Sequence, residues 1–157
     1  MEIEFQRKLA QILRTSRVAA LGTFRGSTPA VSMVVFAPAE DFSAFYIYIS
    51  QLSQHAQDIQ KDKHVNLMIA ENDDGREDPQ TLARISIRGV AEYMPVGVPG
   101  YMPAKDLYLA RFPKAEQLFG LTGFGLWRIL PRGARYVAGY ASAFNVTPEA
   151  LQEAAQV

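Results

Sequence analysis

The segment Tyr46-Ile47-Tyr48-Ile49-Ser50-Gln51-Leu52-Ser53-Gln54-His55 carries the densest set of groups able to hold an anion. Strand alternation puts Tyr46, Tyr48 and Ser50 on one face and Ile47 and Ile49 on the other. Ser53 then predicts a helix cap, with the helix running to about Lys61. The free N–H groups of its first turn, the Ser53 hydroxyl and the Gln54 and His55 side chains make a natural phosphate cradle. An ordinary capped helix with an exposed histidine accounts for the same residues. Arg84-Ile85-Ser86-Ile87-Arg88 alternates strictly, which suits a solvated face and equally an arginine set beside a phosphate. Ala30 to Phe36 is apolar apart from Ser32 and Thr28-Pro29 precede it, so a buried strand is expected. A buried serine needs a partner, either a backbone carbonyl or a ligand heteroatom. Trp127, the sole tryptophan, serves as core or stacks near a ring system.

Other chemistries are excluded or poorly supported. With no cysteine, a disulfide scaffold, a thiolate metal site and a cysteine nucleophile are ruled out. His55 and His64 have no third donor at matching spacing, so no zinc site is expected. Ser53, His55 and Asp58 crowd one helix turn, whereas a catalytic triad assembles across a fold. Asn72-Asp73-Asp74-Gly75 has Ala70 where a calcium loop begins with aspartate, and reads as a solvated loop. Gly120, Gly123 and Gly125 precede a strand and do not open a helix, so they form no dinucleotide fingerprint. Sixteen basic residues balance sixteen acidic ones, which removes the field that would attract nucleic acid or an anionic membrane. The charged start Met1-Glu2-Ile3-Glu4 lacks a secretory pattern, and no apolar run approaches the ~20 residues of a membrane span. A cytoplasmic protein is the expectation.

The elements that position these groups follow from periodicity. Phe5, Leu9, Ile12 and Leu13 mark an amphipathic helix that closes near Thr15-Ser16. Strands are expected over Val18–Phe24, Ala30–Ala37 and Ala44–Ser50, joined as an antiparallel meander. Val65–Ala70 and Thr81 to about Met94 are further strands, with Gly89 a bulge or bend. Helical turns follow at Lys105–Phe112 and Ala115–Phe119. Phe124–Leu130 and Tyr136–Tyr140 read as two strands split by Pro131-Arg132-Gly133, and Thr147-Pro148-Glu149 starts a last helix. The 157 residues, 48% hydrophobic and 20% charged, suit one domain spanning 1–157. Six or seven short strands with few helices predict a mainly β, antiparallel barrel. So few strands leave a side that a homodimer would seal.

Ser50 to Ile59, followed by Lys61-Asp62-Lys63-His64-Val65-Asn66-Leu67-Met68-Ile69, resembles the pyridoxamine 5′-phosphate oxidase-related, FMN-binding split barrels. Within them it is most similar to the HugZ-like haem-utilisation branch. Asp78-Pro79-Gln80-Thr81-Leu82-Ala83-Arg84 leading into Gly89, Tyr108-Leu109-Ala110-Arg111-Phe112-Pro113, Phe124-Gly125-Leu126-Trp127-Arg128 and Val137-Ala138-Gly139-Tyr140 extend the resemblance over nearly the whole chain.

The resemblance implies FMN at the interface of a homodimer. Ser32 and Met33 would lie along the isoalloxazine. Tyr48, Ser53, Gln54 and His55 would lie near the phosphate and ribityl chain, with Arg84 on the neighbouring strand. Trp127 would approach the ring from the partner subunit. A flavin-dependent oxidoreductase acting on a small molecule is then the expectation, with no evident general acid. The alternatives are a haem-binding or haem-degrading protein and a cofactor-free interaction module. Gln54 and His55 stand where pyridoxamine-phosphate oxidases carry an Arg-Lys pair for the FMN phosphate, and the Arg-x-His substrate motif is missing around Arg132–Tyr136. Nothing after His64 is histidine, so the C-terminal haem ligand of the HugZ-like proteins has no counterpart.

Overall fold

The computed structural model describes residues 1–157. Helix α1 (Ile3–Thr15) buries Leu9, Ala10, Ile12 and Leu13 along the predicted stripe. Strands β1 (Val18–Arg25) and β2 (Thr28–Val35) pair from Val18↔Val35 to Arg25↔Thr28. Gly26 closes this hairpin at φ 66°, a conformation the missing Cβ makes cheap. The chain continues through Phe36 into the short β3 (Ala37–Pro38), then β4 (Phe45–Ser50), α2 (Gln54–Lys61), β5 (His64–Ala70) and β6 (Arg84–Met94). Helices α3 (Tyr101–Arg111) and α4 (Glu116–Phe119), strands β7 (Phe124–Gly139) and β8 (Ser142–Val146), and helix α5 (Pro148–Ala154) complete it.

The strands form one antiparallel sheet in the order β2-β1-β5-β6-β7-β4-β3, with β8 added to β7. The two ends of that path, β2 and β3, are a single run of chain. The sheet therefore closes on itself as a barrel, which leaves few open edges. Leu21, Ile47, Leu67, Ile69, Ile85, Ile87 and Ile129 fill its interior, joined by Leu9 and Leu13 from α1 and Leu151 from α5. Helix α3 covers the outside of β4 through a second cluster of Tyr48, Met94, Tyr108 and Leu126. No helix is long and apolar enough to cross a membrane.

Three expectations need correction. The first three strands are not a meander. After the β1–β2 hairpin, β4 crosses to pair with β7, and only the two-residue β3 lies beside it. Pro131-Arg132-Gly133 does not split the last strands, since β7 runs unbroken from Phe124 to Gly139. Pro131 lies opposite Gly89, where the β6–β7 register shifts, and a proline lacking its N–H is tolerated at such a bulge. Strand β8 was not foreseen. Ala141 turns the chain into it at φ 57°, and a non-glycine residue in that region gives no sequence cue.

The bulge at Gly89 agrees with its sequence reading, and the structure explains it by close approach. A methyl group there would lie 2.6 Å from the Leu130 carbonyl oxygen, main chain held in the ladder. Gly89→Ala is expected to lower stability by roughly 1–3 kcal/mol through overpacking. A reduced urea midpoint at unchanged slope is the check.

Candidate functional site

Strand β4 hands the chain to α2 through Gln51-Leu52-Ser53, and Ser53 caps the helix as its sequence predicts. Its Oγ accepts from the Ala56 N–H at 3.3 Å and donates to the Ser50 carbonyl at 2.6 Å. The Ser53 carbonyl accepts from the Gln57 N–H, so the N–H groups of Gln54 and His55 are left as free donors. Gln54 is exposed and reaches Asp58 Oδ1 at 3.4 Å. Partial burial lowers the His55 pKa against a weaker pull from Asp58. Burial thus favours the neutral imidazole of His55, which can donate or accept. The cradle offers dipoles and neutral donors in place of cations.

What fixes this helix end is Asp58, a buried carboxylate. Thr23 Oγ1 donates to its Oδ2 at 2.8 Å, and Arg25 donates to both oxygens, Nε at 3.2 Å and Nη2 at 3.1 Å. The Arg25 bonds outweigh desolvation, and with those from Thr23 and Gln54 they hold the Asp58 carboxyl at about 2. Asp58 thus bolts α2 to the end of β1 and does not join Ser53 and His55 in a triad. An acid four residues after an exposed Gln54 was the available sequence signal, but its partners come from β1 and are invisible locally.

Strand β2 departs from the expected buried strand. Val31 is 74% and Met33 70% exposed. Ser32 and Met33 point to opposite faces, as neighbours on a strand must. Met33 lies in an outer row with Ala20 and Met68, and Val31 in a row with Gly22 and Asn66. Val18, Phe24 and Met68 are exposed as well. Together they make an exposed apolar face on the outside of β1, β2 and β5. Ser32 shares the inner face with Leu21, beside Thr23, the residue bonded to α2. Its Oγ is buried and has no hydrogen-bond partner in the chain. Such a group costs about 1–3 kcal/mol unless something satisfies it.

The remaining expected residues are dispersed. Tyr48 is buried against α3 and α4. Its ring stacks on Phe119 at 3.7 Å and its hydroxyl donates to the Leu118 carbonyl at 3.2 Å. Burial raises its pKa. Trp127 is buried, 5% exposed, and donates through Nε1 to Gln51 Oε1 at 3.0 Å. Gln51 was not singled out from sequence, yet it links the turn before α2 to Trp127. A Cβ on Gly125 would lie 2.9 Å from both the Gln51 side chain and the Tyr93 ring, so this glycine gives them room. Arg84 donates to the Gln80 and Leu82 carbonyls at 2.8 and 2.9 Å. It pairs with Val137 at one end of β7, whereas Ser50 pairs with Phe124 at the other. Within one chain Arg84 is not beside the α2 N-terminus.

These donors can be tested against a flavin phosphate ester. The orphaned Ser32 hydroxyl and the free Gln54 and His55 N–H groups suit heteroatoms and an anion, and Arg25 beside them is already neutralised by Asp58. The set fits such a ligand, with less cationic pull than a basic pair would give.

Comparison with known proteins places this geometry. The family model described as Pyridoxamine 5′-phosphate oxidase matches residues 5–138. The Arabidopsis thaliana non-canonical heme oxygenase HOZ, chloroplastic, is 32% identical over 150 residues, covering 93% of this chain and 44% of that protein. A heme binding protein from Mycobacterium smegmatis superposes with TM-score 0.84 at 23% identity, over 95% of this chain and 60% of its own. HutZ from Vibrio cholerae superposes with TM-score 0.73 at 18% identity, over 96% of this chain and 99% of its own. The chain thus spans less than half the length of the plant protein.

Proposed function

Because the chain belongs to the pyridoxamine 5′-phosphate oxidase family, we propose that it is a homodimer that binds FMN between its subunits and serves as a flavin-dependent oxidoreductase for a small molecule. The observation that carries this reading is the buried Ser32 hydroxyl, which no atom of the chain satisfies. It lies on the inner face of the same strand whose outer face exposes Val31 and Met33. In this reading the N–H groups of Gln54 and His55 hold the phosphate, Ser32 donates to a ligand heteroatom on the inner face beside Thr23, and Met33 belongs to the outer face that a second subunit covers. Trp127 keeps Gln51 in place and belongs to the wall. When bound, FMN supplies the redox chemistry, and the protein supplies binding, orientation and exclusion of water. A visible spectrum of the fresh protein before and after adding FMN tests the reading. Flavin bands that titrate to one FMN per chain are expected, and a spectrum that free FMN alone accounts for overturns it.

The location of the phosphate has its own test. Gln54→Arg adds a cation at the free N–H groups, and a charge-assisted bond contributes about 1.5–3 kcal/mol. FMN should bind roughly tenfold or more tightly to this variant, measured by flavin fluorescence quenching. An unchanged affinity would move the phosphate elsewhere.

A second reading, haem binding, is favoured by one observation, the 32% identity to a heme oxygenase. In that case the same dimer face takes haem.

A further inference from the structure

We propose that the groove over β1, β2 and β5 is a metalloporphyrin site in which His64 Nε2 ligates the metal and Arg88 and Arg132 pair with the porphyrin carboxylates. The proposal takes only its ligand class from the haem reading, and the residues come from the groove itself. The groove has a volume of about 490 Å³, inside the roughly 300–1,000 Å³ of small-molecule sites. Phe24, Val31, His64, Asn66, Arg88 and Arg132 are among the residues that line it.

His64 is built as a ligand. It opens β5 facing outward, with its side chain 66% exposed. Asp62 Oδ1 lies 2.7 Å from its Nδ1 and also accepts the His64 backbone N–H at 3.0 Å. A carboxylate can only accept, so the ring proton belongs on Nδ1. That turns Nδ1 to a carboxylate and leaves Nε2 as the nitrogen open to a metal, as in the carboxylate–histidine–metal arrangement. Nε2 has no hydrogen-bond partner in the chain.

The arginines are equally uncommitted. Neither Arg88 nor Arg132 forms a salt bridge or a side-chain hydrogen bond, whereas Arg25, Arg76 and Arg128 all have acidic partners. Arg88 lies flat across the sheet because its cross-strand neighbour is Gly133, and a side chain there would collide with the guanidinium. Two unpaired cations, one oriented imidazole and apolar lining residues match a flat, hydrophobic, dianionic ligand with a coordinating centre. A free phosphate would leave the imidazole, its aspartate, Phe24 and Val31 without a role. Val31 belongs also to the exposed dimer face, so the groove opens along the edge that a second subunit would cover.

Titrations of the 157-residue chain with haemin and with metal-free protoporphyrin IX, read by visible absorption, test the site. His64→Ala is expected to weaken haemin at least about tenfold and to change the Soret band, while protoporphyrin affinity stays the same. Free imidazole should restore the wild-type haemin spectrum. Replacing both Arg88 and Arg132 with alanine should weaken both porphyrins. His64 is exposed, so its replacement leaves the core intact. An unaltered haemin affinity and spectrum in His64→Ala overturn the site and leave the haem reading standing. Wild-type protein that takes up no haemin overturns both.

Discussion

Val31→Asp combined with Met33→Asp is expected to turn the protein from a dimer into a monomer at micromolar concentration. These side chains are the most exposed apolar groups of β2, 74% and 70% accessible, and they lead rows that continue through Ala20 and Met68 and through Gly22 and Asn66. Burying such a side chain contributes about 1.5–3 kcal/mol. A two-fold interface uses each residue twice, so two substitutions remove four contacts and place four carboxylates on one surface. Mutual repulsion and desolvation add to the loss. The dimer dissociation constant should rise at least about a thousandfold. Sedimentation should show the wild type as a dimer and the variant as a folded monomer whose FMN affinity has fallen with assembly. A variant that still sediments as a dimer would contradict the assignment of this face.

Asp58→Ala is expected to cost about 1.5–3 kcal/mol, the range for hydrogen bonds to a charged group. The variant leaves the Thr23 hydroxyl buried without its acceptor, while Arg25, half exposed, turns to water. For a chain of this size the loss corresponds to a melting temperature lower by roughly 3–12 °C. Acid should produce the same loss in the wild type. The fold holds the Asp58 carboxyl at about 2, below the roughly 3.9 of an unfolded aspartate, so folding favours the ionised form. Its contribution is complete above about pH 4 and disappears as pH falls through about 2. Urea unfolding at pH 7 and at pH 3 should show Asp58→Ala losing less stability on acidification than the wild type. Because Asp58 anchors α2, the variant should also bind FMN more weakly. Equal acid sensitivity in the two proteins would remove Asp58 from this role.

Local signals were legible wherever the physics was local. Ser53 and Thr147 cap α2 and α5 as read, each accepting the N–H three residues on, and Gly89 sits at the bulge. The barrel followed from strand count and spacing. Features set by partners distant in sequence were not legible. Pro131 looked like a break because the register shift that tolerates it belongs to β6. The path of β4 to β7 depends on barrel closure, which no hairpin signal encodes. Ser32 was read as needing a partner, and the structure sharpens this by showing none. Its neighbours mislead for a simple reason: β2 is apolar on both faces, and sequence alone cannot say that one of them stays exposed in the chain. Tyr48, Ser53 and Trp127 are expected ligand contacts on their residue types and segment, and within the chain their polar atoms are engaged by Leu118, Ser50 and Gln51. The free donors at the helix start are the backbone groups of Gln54 and His55.

The phosphate can be isolated by comparing FMN with riboflavin, which carries the same ring and ribityl chain without it. Competitive fluorescence titration of the wild type measures both affinities on one protein. If the α2 N-terminus grips the phosphate, FMN binds at least about tenfold more tightly than riboflavin, the worth of one charge-assisted contact. Equal affinities, or no binding of either, would contradict it.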